Sequence, residues 1–217
     1  MKSIPSVLSV ADHAGWAHII CVAAPNGVPA VVERRRVSTI DAGLPTMPYH
    51  HESLGMQVDE ANALIECVRR SIAECSGRAV QEVVTDVAPS YDVVALAIRE
   101  PPFPELPDTV AVVRKSYQLQ CAADGMMYQL ALCRAARDLG LEVHLCRRGE
   151  ETALAAARLE VATDDMELFV SRTGRPSGSP WTQEHRRAYA AGLAALCVHA
   201  RDQQPSLRIP ADVHRRS

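Results

Sequence analysis

The side chains in this sequence that could hold a metal ion or move a proton are concentrated at a few points. Asp12 stands where a β-prone run stops, and Glu100 where the continuously apolar run Val93 to Ile98 stops. Carboxylate oxygens suit Mg²⁺ or Mn²⁺. Carboxylates gathered from distant elements can hold two such ions about 4 Å apart, one activating water and the other stabilising the leaving oxygen. Each acid also has a plainer reading, Asp12 as a turn former ahead of Gly15 and Glu100 as a solvated strand end.

Near the C-terminus, His185 offers a neutral imidazole usable as a base near pH 7, or an inert position on a helix surface. Its neighbour Glu184 either ligates an ion or completes a capping box begun by Thr182. The cluster His50-His51-Glu52 is denser. Adjacent histidines in an extended chain point apart, however, and lack the spacing of a zinc-binding helix, so loop decoration is the preferred reading. Beside Asp12, His13 and Trp16 could contact a substrate, the indole stacking on a base, or Trp16 could belong to the core. Asp164-Asp165 reads as a helix cap after Thr163, and Met126-Met127 as core filling.

These groups must be positioned by an alternation of strands and helices. Ser6 to Val10 alternates like a strand, and Ala17 to Ala24 is a second run. The turn Pro25-Asn26-Gly27 leads into a β-prone stretch, Val28 to Ile40, so strands two and three should form an antiparallel hairpin. A long loop over Asp41 to Gln57 precedes a helix from Asp59 that Gly77 can terminate, and Val80 to Val87 fits a second, shorter helix. Val93 to Ile98 suits a strand buried on both faces, parallel to its neighbour, cut off by Glu100 and Pro101-Pro102-Phe103-Pro104. A long helix should end near Leu139 with Gly140 as its cap, followed by strand five at Leu141 to Leu145. Helices are expected over Glu150 to Leu159 and Asp164 to Arg172. A loop over Gly174 to Pro180 then leads to an alanine-rich helix capped by Thr182 and running to about His199.

The 217 residues suit a single domain, expected over residues 1–202 with a loose tail at 203–217. A hydrophobic share of 47% with 4% aromatic residues implies an Ala/Val/Leu/Ile core of helices on a sheet. A net charge of −3 argues against a protein that coats nucleic acid non-specifically. Short clusters such as Arg34-Arg35-Arg36, Arg147-Arg148 and Arg186-Arg187 read as solvated surface unless the fold assembles them into a phosphate path. No stretch approaches the ~20 apolar residues that cross a bilayer, so a cytoplasmic, membrane-free protein is expected. Seven cysteines without a CxxC pair read as small buried hydrophobes in a reducing compartment.

Three antiparallel strands, a helix, then two parallel strands separated and followed by helices is an α/β order that resembles the ribonuclease H-like superfamily. It is most similar to Holliday-junction resolvases of the RuvC type. The likeness spans roughly residues 6–200, with local echoes at Ala97-Ile98-Arg99-Glu100 and in the alanine-rich stretch Ala188 to Leu196. It implies a mixed five-stranded sheet flanked by helices, with a metal site drawing one Asp from strand one, one Glu from the end of strand four and acids from the last helix. The matching positions are Asp12, Glu100 and Glu184, with His185 as an auxiliary group. The alanine-rich run itself holds Tyr189 where an acid is usual, and Glu184 lies about a turn earlier.

Two functions follow from this resemblance. One is a nuclease using Mg²⁺ or Mn²⁺ at Asp12, Glu100 and Glu184, with nucleic acid as partner and a homodimer as assembly. The other is a catalytically silent module of the same fold that binds a partner. A phosphotransferase of the actin or sugar-kinase type normally duplicates the fold, for which the chain has no room. In the nuclease reading, Asp12→Asn should abolish cleavage and leave stability unchanged or raised, as repulsion among clustered carboxylates falls.

Overall fold

The structure is a computed structural model and describes residues 3–106, 109–174, 180–200 and 207–210. Five strands form one mixed sheet: β1 (Ile4–His13), β2 (Trp16–Ala23), β3 (Ala30–Ser38), β4 (Tyr91–Arg99) and β5 (Glu142–Cys146). Their order is β3-β2-β1-β4-β5. The first three are antiparallel neighbours, whereas β4 runs parallel to both β1 and β5. This is the ribonuclease H-like sheet that the element order implies. The tight β2–β3 connection uses left-handed backbone at Asn26 (φ 57°) and Gly27 (φ 79°), residue types that tolerate it.

Among the described residues, six helices cover the two faces: α1 (Val58–Val87), α2 (Val110–Val113), α3 (Tyr117–Asp138), α4 (Glu151–Leu159), α5 (Thr163–Thr173) and α6 (Gln183–Ala200). Val7, Ile20, Val22, Ala95 and Ala97 face α4, α5 and α6. Leu8, Val10, Ile19, Leu96 and Ile98 face α1 and α3. Because both faces are covered, the central strands are apolar at successive positions rather than at alternate ones. On the α6 side, Gly192 lies so close to the sheet that an added Cβ would stand 2.9 Å from Ser9 and from Val22.

Two expectations about boundaries change. Gly77 does not end a helix, because α1 runs through it for 30 residues. Ala61, Ile65, Val68 and Ile72 on one side of Gly77 and Val80, Val83 and Val87 on the other form one buried stripe. Burial along that stripe outweighs the ~1 kcal/mol that a mid-helix glycine costs. Within the expected tail, Leu207 and Ile209 pack against the core and Arg208 N–H donates to Gly27 O at 3.0 Å. Residues 201–206 and 211–217, and most of the expected loop at 175–179, lie outside the described residues. All seven cysteines are free and five are buried, Cys67 and Cys121 being the others. Among the described residues no helix is long and apolar enough to cross a membrane.

The loop over residues 41–57 is fastened to α3. The buried Asp124 carboxylate accepts the Tyr49 and His50 N–H groups at 3.0 Å each, and Tyr128 Oη donates to Thr46 O at 2.9 Å. Turn geometry brings His50 and His51 together with ring centroids 4.1 Å apart, which corrects the expectation that they point away from each other. Burial pushes the Asp124 carboxyl up to about 7, against the two N–H donors that lower it. Asp124→Asn substitutes an NH₂ for one acceptor and confronts a backbone donor with another. It should lower stability by about 1–3 kcal/mol in urea unfolding. The folded protein retains a proton on Asp124 that the unfolded chain sheds above its ordinary carboxylate range. Wild-type stability therefore declines as pH rises toward 7, and the gap to the variant should be widest in acid and narrow toward neutrality.

Candidate functional site

The parallel pairing of β1 with β4, with Ser9 opposite Ala97, brings the C-terminal ends of both strands to one edge of the sheet. Asp12 is reached there from β4. Its carboxylate is 3% exposed and accepts two branches of the Arg99 guanidinium, Nε at 3.0 and 3.2 Å and Nη2 at 2.9 Å. Such a two-pronged, charge-assisted contact occupies both carboxylate oxygens.

Glu100, one residue further on, departs in another direction, as successive residues leaving a strand do. Its backbone N–H continues the β4–β5 pairing by donating to Cys146 O at 2.8 Å. Its exposed carboxylate stands 3.6 Å from Arg147. The backbone ends of β1 and β4 are therefore neighbours, but the side chain that meets Asp12 is Arg99.

Helix α6 supplies the facing wall. Thr182 caps it, and the capping partner is His185 rather than Glu184. His185 N–H donates to Thr182 Oγ1 at 3.5 Å, and the Thr182 N–H donates back to His185 Nδ1 at 3.1 Å. This is a capping box with histidine at the third helical position, where glutamate or glutamine is usual. Glu184 is thereby left to turn outward and meet His13 Nε2 at 3.0 Å. His185 is 3% exposed, so it is not the surface residue its place on a helix suggested. Burial, then the neighbouring His18 and Arg34, hold its pKa down to about 4. A neutral ring that already accepts a backbone N–H is a structural cap.

Asp12, Glu151 and Glu184 share a cavity with Arg99, Arg148 and Arg187. Glu151 is also tied down, its Oε2 accepting the Gly149 N–H at 2.8 Å. Beside the cavity runs a chain of rings. His13 stacks on Trp16 at 3.8 Å, Trp16 meets His18 edge-on at 5.2 Å, and His18 meets His185 at 4.2 Å. The chain continues to Trp181, stacked on His185 at 5.6 Å. Arg36 lies over Trp16 at 4.4 Å and Arg34 over Trp181 at 5.8 Å, so part of the expected arginine surface is cation–π contact.

These residues fit a two-ion centre poorly. Asp12 is held by a cation at both oxygens, Glu184 by His13, and Glu100 does not line the cavity. Among the described residues, the three acids do not form a cluster with ligand atoms within 4.8 Å of one another. The group that does so among the described residues is Glu142, His144 and His199, on β5 and the end of α6. Sequence reading passed over Arg99 because it weighed acids alone. Extending the pairing of Ser9 with Ala97 residue by residue sets Glu100 opposite Asp12 and Arg99 opposite Ala11, so register alone does not reveal the Arg99 contact.

The Arg99 contact reverses one expectation about Asp12→Asn. With a cation as neighbour in place of other carboxylates, the amide removes an attraction instead of a repulsion. Because Arg99 is 37% exposed, water compensates part of the loss. The variant should be less stable than wild type by about 1–3 kcal/mol in chemical unfolding. Unchanged or increased stability would contradict the pairing.

No family model and no curated protein matches this sequence. Solved structures do. The chain is similar to RuvC of T. thermophilus in complex with a Holliday junction substrate, at 14% identity and a TM-score of 0.52, over 92% of this chain and 96% of that one. It is likewise similar to a second Thermus thermophilus RuvC structure, at 13% identity and TM-score 0.52, over 91% and 96% of the two chains. Sheet order, helix placement and near-complete mutual coverage give this chain the RuvC-type ribonuclease H-like fold.

Proposed function

We propose that this chain is a nucleic-acid-binding module of RuvC-type fold that does not hydrolyse its ligand. The observation that carries this reading is the Arg99 guanidinium seated on both oxygens of Asp12. A divalent ion would have to displace that cation and then remain beside it, and both steps oppose metal binding. The contact leaves other guanidinium N–H groups of Arg99 available, and Arg148 and Arg187 line the same cavity. Guanidinium groups recognise phosphate oxygens through paired N–H donors. The fold similarity to a protein described with a Holliday junction substrate makes branched DNA the first ligand to try.

The second reading is a two-metal nuclease using Mg²⁺ or Mn²⁺, with Asp12, Glu100 and Glu184 as ligands and His185 as auxiliary. Its support is that Asp12, Glu151 and Glu184 line one cavity. Fluorescence anisotropy with a four-way DNA junction and a matched duplex, run beside cleavage assays in Mg²⁺ and Mn²⁺, separates the two. Binding without cleavage is expected. Arg148→Glu with Arg187→Glu should weaken binding at least tenfold and flatten its salt dependence by about one unit per lost phosphate contact. Metal-dependent cleavage that Asp12→Asn abolishes would establish the nuclease instead. Absence of binding to any DNA or RNA would turn the module toward a protein partner.

A further inference from the structure

At the far end of α6 from the arginine-lined cavity, three potential ligands meet. Glu142 and His144 are two residues apart on β5 and so emerge on one face of the strand. His199 descends onto them from the last turn of α6. His144 Nε2 and His199 Nε2 are 3.1 Å apart. Glu142 presents Oε1 at 3.4 Å from His144 Nε2 and Oε2 at 3.7 Å from His199 Nε2. The two imidazole planes are nearly perpendicular, at 87°.

Two nitrogen or oxygen ligands on one tetrahedral ion at ~2.0–2.1 Å are separated by roughly 3.3 Å. The ring nitrogens and the nearer carboxylate oxygen lie close to that spacing, and one ligand atom from each residue falls within 4.8 Å of the other two, so the groups stand near enough for one ion to draw them together. Two facing ring nitrogens can share a single proton at most, which leaves at least one lone pair directed at the other ring. The carboxylate is exposed while both rings are mostly covered, an arrangement with an open approach on one side. The nearby Arg158 guanidinium acts on His144 but donates to the Ala194 carbonyl of α6.

We propose that Glu142, His144 and His199 form a zinc site that ties the C-terminal end of α6 to the edge strand β5. Two imidazoles and one carboxylate are a borderline ligand set suited to Zn²⁺, and three protein ligands leave a fourth position for water. The tie joins segments 55 residues apart in the chain. Binding to the folded state alone would therefore raise stability.

The test uses the full chain without a histidine tag, stripped by chelator and dialysed against Zn²⁺ or Co²⁺. Wild type should retain one equivalent of zinc by elemental analysis and melt at a higher temperature with zinc than without. Its Co²⁺ form should show the visible absorption of a four-coordinate ion without a thiolate charge-transfer band. His144→Ala and His199→Ala should each lose the bound equivalent and the zinc-dependent rise in melting temperature. Glu142→Ala, at an exposed position, should weaken zinc retention in the same assay while leaving the fold intact. The proposal is overturned if wild type retains no zinc, if all three variants retain it, or if a thiolate band assigns the metal to cysteine.

Discussion

Helix α6 can lie flat on the sheet only because position 192 carries no side chain. A single Cβ there would meet Ser9 and Val22 at 2.9 Å, closer than carbon atoms approach without displacement. Around that point the alanine stripe, with Tyr189 and Leu193, closes against β1, β2 and β4. Height above the sheet at this one contact fixes where both ends of the rod arrive. Its first turn brings Glu184 and Arg187 to the end of β1. Its last turn lowers His199 onto β5.

At the first of those ends, the chemistry is dominated by pairing within the protein. The buried Asp12 carboxylate pairs with Arg99, Glu184 meets His13, and Glu151 accepts a backbone N–H. A centre that gathers divalent ions concentrates uncompensated negative charge, as carboxylates forced together do. This cavity gives each of its acids a partner within the protein and places two further arginines on its wall.

Much of the fold was legible from the sequence. The apolar runs at 6–10, 17–24 and 93–98 and the Pro25-Asn26-Gly27 turn specify strands and their order, because period and turn residues are local properties. The meeting of the β1 and β4 ends follows from them. Side-chain partnership does not. Arg99 and Glu100 are adjacent in sequence, and only the direction in which each leaves the strand decides which one reaches Asp12. His185 was invisible as a cap because the box usually carries glutamate or glutamine at that position. Gly77 misled because a glycine's cost is local whereas the burial that overrides it extends along the whole of α1. His144 and His199 share no local pattern, and packing alone unites them.

Among the described residues, the sheet ends on one side at β3, which follows β2 in the strand order. Arg34, Arg35 and Arg36 occupy its middle. Arg36 leans over Trp16 and Arg35 pairs with Asp86 at 2.8 Å, so the row is anchored to both faces of the sheet. A second copy adding itself edge to edge through the same strand, in antiparallel fashion about this segment, would bring one row of guanidinium charges against another. Like charges on facing strands oppose pairing. The arginine row on this edge strand thus opposes self-templated sheet growth.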